Sequence, residues 1–91
     1  MLTNAVFYDL AADTAFRVMR SHADTAFIRR VDMNTGRSIL KEPIELKVMH
    51  EIYQRKNEGE LIRIPKPKEI ARMVSFLKEL KVLDDLAKPN K

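Results

Sequence analysis

The cations Arg63, Lys66, Lys68 and Arg72 crowd the start of an apolar-periodic segment whose far end carries Asp84 and Asp85. A helix N-terminus favours carboxylates and a C-terminus favours cations, so each such mismatch costs about 0.3–1 kcal/mol. A local rule broken without evident compensation marks a place to look for function. Lysines beside the free N–H groups of a helix start form a seat for phosphate or another anion. The competing account is neutralisation by Glu69 together with Asp24 or Asp32 from elsewhere in the fold.

A second basic set, Arg29, Arg30, Arg37 and Lys41, flanks Asp32-Met33-Asn34-Thr35-Gly36. A two-stranded ribbon fits the major groove of DNA, and arginine pairs bidentately with guanine or phosphate. Alternation along a strand sends Arg29 and Arg30 to opposite sides, so only one of them shares a docking face. The same cations also serve as solvated charges that keep a sheet edge from joining other chains. Asp84 and Asp85 with Glu79 could meet a basic partner, but a solvated helix end compensated by Lys88 is the simpler account.

Other chemistries lack their parts. His22 and His50 are solitary, and His50 has no second histidine four residues away, so the helical zinc spacing is missing. The chain has no cysteine, which removes disulfides, thiolate catalysis and cysteine-based zinc sites. Ser21, Ser38 and Ser75 stand outside any nucleophile-elbow glycine context, and two glycines are too few for a phosphate-cradling loop. The sequence therefore predicts neither an enzyme, a metal site nor a cofactor. The methionines, among them Met19, Met49 and Met73, fall on apolar stripes and read as core.

Composition sets the frame for these residues. Ninety-one residues suffice for one domain, and 45% hydrophobic with 33% charged residues is a globular balance. The net charge of +4 permits nucleic acid as a partner without the dense basic stripes of histone-like chains. No run approaches a membrane span, and the start lacks a basic region followed by an apolar one. The expectation is a soluble, cytoplasmic protein.

The elements that must position the two basic sets are read from periodicity and turn chemistry. Phe7, Leu10, Ala11, Ala15, Val18 and Met19 recur at helical spacing, predicting a first helix from Thr3 or Asn4 to about Ser21. Segments 27–31 and 37–40 read as a β-hairpin around Asn34-Thr35-Gly36, although Phe27 and Val31 at four-residue spacing also suit a helix. Pro43 opens a second helix with Ile44, Val48, Met49 and Ile52 as its stripe, stopped at 57–59. Leu61, Ile62 and Ile64 form a short third strand, and a last helix runs from about Pro67 to Leu86 on Ile70, Met73, Val74, Leu77 and Leu80, widened by Phe76 and Leu83. Residues 87–91 read as a frayed tail. A helix-turn-helix is disfavoured, because 70–80 holds neither Gly nor Pro and the link from the second helix is too long.

The sequence thus predicts an α+β domain of three helices on a small antiparallel hairpin or three-stranded sheet. Its expected function is non-enzymatic nucleic-acid binding or regulation, with phosphates held by Arg29, Arg30, Arg37, Lys41, Arg63, Lys66, Lys68 and Arg72. The alternative is a small inhibitor or adaptor, phage-type or secretion-type, that binds another protein through Phe7, Tyr8, Tyr53 and Phe76. Oligomeric state is not legible at this level.

Overall fold

The computed structural model describes residues 2–87. Five strands, β1 Val6–Asp9, β2 Thr14–His22, β3 Thr25–Val31, β4 Glu45–Val48 and β5 Leu61–Ile64, form one antiparallel sheet in the order β4-β3-β2-β1-β5. A short helix, α1 Met49–Asn57, links β4 to β5. A 3-10 turn, Pro67–Glu69, then leads into the long helix α2, Ile70–Ala87.

Both faces of the sheet are covered near its centre. On one side Phe7, Phe16, Val18, Ala26, Ile28 and Leu61 bury Ile52 of α1, with Phe7 and Phe16 ring centroids 5.7 Å apart. On the other, Val6, Tyr8, Ala15, Val31 and Ile64 receive Ile70 and Val74 of α2. Every residue of β1 is therefore buried. Asp9 closes this core at the β1–β2 turn. Its carboxylate accepts the N–H groups of Ala11 and Ala12 and a bidentate pair of bonds from Arg55 of α1, each 2.9 Å.

This architecture corrects the predicted arrangement of three helices on a hairpin or three-stranded sheet, while the α+β class stands. The expected first helix is the β1–β2 hairpin. A strand buried on both faces loses its alternation and reads as a continuous apolar run, which helical spacing then fits by accident. The turn is made without glycine: Asp13 takes φ +52° itself. The predicted second helix begins only at Met49, its first half being the edge strand β4. Its N-terminal cap comes from far away, with Asp24 accepting Met49 N–H through its carbonyl at 2.7 Å and His50 N–H through its carboxylate at 3.1 Å.

The predicted hairpin forms only at its turn end. There Asp32 N–H donates to the Arg37 carbonyl at 2.9 Å and Ile39 N–H to the Arg30 carbonyl at 2.8 Å, beside one antiparallel bridge, Val31 to Ser38. Residues 37–40 make no strand of their own, and β3 pairs along its length with β2 instead. The turn chemistry is nonetheless real, because Asp32 accepts the N–H groups of Asn34 and Thr35 through its side chain and that of Gly36 through its carbonyl. β5 does form, but against β1, and the last helix forms close to its expected bounds. The expected frayed tail begins at Ala87, which closes α2; residues 88–91 lie outside the described residues. Among the described residues no helix is long and apolar enough to cross a membrane.

Candidate anion-binding cleft

Cross-strand pairing decides which cations share a face. Val6 stands opposite Arg17 and Ile64, and Arg17 opposite Arg29, so both arginines lie on the α2 side of the sheet. Like charges placed directly opposite repel. Each is held by the same loop: Arg17 donates to Ser38 Oγ at 2.6 Å and the Gly36 carbonyl at 3.3 Å, and Arg29 to the carbonyls of Leu40 and Glu42 at 3.2 and 2.8 Å. The two guanidiniums thus lay the segment after β3 across the sheet.

That segment meets the start of α2 at Gly36. Its φ is +76°, and a β-carbon there would sit 1.9 Å from the Pro67 carbonyl oxygen, so only glycine permits the approach. Beside this contact opens a cleft of about 860 Å³ lined by Arg17, Thr35, Arg37, Ser38, Leu40, Pro67 and Lys68. Arg37 and Lys68, one from each predicted basic set, come together here with Arg17, and no carboxylate lines the cleft. Hydroxyls of Thr35 and Ser38 supply neutral hydrogen-bonding groups at the same wall. Three cations with two hydroxyls can hold an anion; nothing in the lining can act as a general base or nucleophile with a partner.

The remaining predicted residues disperse. Arg63 and Arg30 stand opposite Phe7 and Phe16 and so face the α1 side, where Arg30 pairs with Glu42 at 3.2 Å. Arg29 is committed to loop carbonyls. Lys41 and Lys66 are exposed and outside the cleft lining, and Arg72 lies 4.0 Å from Glu69 on the surface of α2. Neither Asp24 nor Asp32 neutralises the helix start, since Asp24 engages His50 and Asp32 holds the turn. Arg17 was absent from the predicted site, and no local signal marks it; its role follows from register alone.

A second polar cluster ties α2 to the sheet. Tyr8 donates to Asp13 Oδ1 at 2.6 Å, and Lys78 of α2 pairs with Asp13 at 3.3 Å. Burial, and then the bond to Asp13, push the Tyr8 hydroxyl up to about 12. The same Tyr8 bond, followed by Lys78, lowers the Asp13 carboxyl below its ordinary range. Phe7 and Tyr8 are fully buried in the core and cannot anchor a protein partner, whereas Tyr53 and Phe76 are exposed. Among the described residues no group of three or more His, Cys, Asp or Glu is placed to hold a metal ion.

Fold and cleft define a five-stranded antiparallel α+β protein with a basic, hydroxyl-lined concavity. Comparison with protein-family models, with curated proteins and with solved structures returns no match.

Proposed function

We propose that this chain is a non-enzymatic nucleic-acid-binding protein that seats backbone phosphate in the cleft between the loop after β3 and the start of α2. The observation that carries the proposal is the convergence of Arg17, Arg37 and Lys68 on one concavity whose lining holds no carboxylate. Arg37 and Lys68 are the recognition groups, because Arg17 is already bonded to Ser38 and Gly36 and shapes the wall. Phosphate contacts of this kind fix position without reading sequence.

The test is a salt titration of binding to fluorescently labelled duplex DNA and single-stranded RNA. Replacing Arg37 and Lys68 with Gln should weaken binding and reduce the slope of log affinity against log salt by about 0.7–0.9 per lost contact. Both side chains are exposed, so thermal stability should hold. Loss of affinity with an unchanged slope, or no binding of either nucleic acid at low salt, would remove the proposal.

The exposed apolar residues of α2, Phe76, Leu80, Val82, Leu83 and Leu86, favour a protein-binding surface in addition.

A further inference from the structure

We infer that two copies of this protein join through the free edge of β4, continuing the sheet antiparallel across a two-fold axis at Leu46. β4 is an outer strand, and among the described residues no strand lies beyond it. Its backbone parity follows from a neighbouring bond. Met49 N–H donates to the Asp24 carbonyl at 2.7 Å, one position past the Thr25–Val48 pair. Hydrogen-bonded and non-hydrogen-bonded pairs alternate along an antiparallel ladder. Glu45 and Lys47 therefore turn their backbone groups toward β3, and Leu46 turns its N–H and C=O outward. The Arg30 carbonyl, which accepts Ile39 N–H at 2.8 Å on that side of β3, keeps the same parity. The side chains along this edge are apolar and open: Leu46 is 65%, Ile44 47% and Val48 36% exposed. Leu46 stands opposite Phe27, outside the core that α2 covers.

The order Ile44-Glu45-Leu46-Lys47-Val48 identifies the occupant. Antiparallel pairing about Leu46 sets Leu46 against the partner's Leu46, Glu45 against the partner's Lys47 and Ile44 against the partner's Val48. Apolar and opposite-charge pairs are both favourable cross-strand neighbours, and symmetry supplies the unlike pairs twice. The two Leu46 residues exchange N–H to C=O bonds, so the outward backbone groups at the axis are satisfied. Glu45 and Lys47 share the α1 side of the sheet, where Lys47 lies 5.5 Å from the Phe16 ring centroid and Glu45 makes no ion pair among the described residues. Many edges are defended by charges that repel any incoming strand. Here the two charges flank Leu46 at equal distance with opposite sign, so an antiparallel copy neutralises them and a parallel one in register opposes like with like. Residues 40–44 leave the edge between Ile39, bonded to Arg30, and Glu45, opposite Ile28. That excursion ends the added ladder and keeps the contact small and reversible. Because each β4 edge is used by its own counterpart, the assembly closes at two.

Sedimentation of the full chain across concentrations should show a monomer–dimer equilibrium. Glu45→Lys should weaken it about tenfold, since both unlike pairs then oppose two cations. Adding Lys47→Glu to that variant should restore the dimer, because the exchanged edge is again self-complementary. Circular dichroism should stay unchanged in both, and a loss caused by misfolding would not be rescued by the second change. Absence of rescue overturns the register. Because the chain has no cysteine, orientation can be read by oxidation of single-cysteine variants. Leu46→Cys should cross-link to itself, since opposed residues of a hydrogen-bonded pair have Cα atoms about 5.5 Å apart, within disulfide range. Val48→Cys should not, its mates lying four positions out of register, about 14 Å along the strands at about 3.4 Å per residue. Cross-linking of Val48→Cys without Leu46→Cys overturns the two-fold at Leu46. A chain that remains monomeric to about 1 mM overturns the inference and leaves the edge to an extended segment of a different protein. None of these positions lines the anion cleft, so the outcome is independent of the nucleic-acid reading.

Discussion

The two glycines form a natural controlled comparison. Gly36 and Gly59 share nearly the same backbone, φ +76° and +78°, but only Gly36 faces a carbonyl that a β-carbon would strike; nothing lies within 4 Å of Gly59. Gly59→Ala should cost about 1 kcal/mol, the left-handed strain alone. Gly36→Ala should cost several times that and also part Lys68 from Arg37, so denaturant midpoints should separate the two variants widely. Asp9 makes a second test. Its carboxyl is held below the ordinary value of 3.8 by the bonds from Arg55, then by the turn N–H groups of Ala12 and Ala11. A carboxylate lowered on folding stabilises the native state above its unfolded pKa, and that contribution is lost as pH falls through the lower folded value. Stability should therefore drop below about pH 4, and Asp9→Asn, which costs about 2–4 kcal/mol at neutral pH by leaving Arg55 without its charge partner, should flatten that acid limb.

Helix α2 shows what periodicity alone could and could not convey. Its existence, its start after Pro67 and its reversed charges were legible, because strong 3.6-residue patterning and proline punctuation are local signals. Which stripe faces the core was not. Leu77 sits mid-stripe in the sequence, yet it is only half-buried, whereas Ile70 is fully buried against β1 and β5. Ile70→Ala should accordingly cost about 2–5 kcal/mol and Leu77→Ala clearly less, a ranking that chemical denaturation would check. At α1 the obstacle was different. The residues at its start, Val48 and Met49, carry no cap, and Asp24 supplies one across the β2–β3 turn. A helix capped by a distant side chain leaves no local mark of its first residue. The β2–β3 turn was equally opaque, with Ala23 at φ +53° in place of the expected Gly or Asn.

In the molecule as a whole, the pairings that build the cleft are those sequence reading found hardest. Arg37 and Lys68 were both visible as members of basic clusters. Their meeting depends on β5 pairing with β1, which carries the start of α2 across to the loop after β3. Arg30 and Arg63 were lost to the opposite face by the same register. That pairing has a kinetic consequence. β1, β2 and β3 are joined by short turns and close cheaply, whereas β5 must return to set Ile64 against Val6 from the far half of the chain. Closing so long a loop is entropically slower, and contacts of high sequence separation form late. The cleft thus has one wall, Arg17 and Arg37, on the meander and the loop that follows it, and the other, Pro67 and Lys68, beyond the long return to β5. An anion bridging them, as proposed for the cleft, would be a clasp on that closure: it would bind only the closed chain and slow the opening that lifts β5 and α2 away.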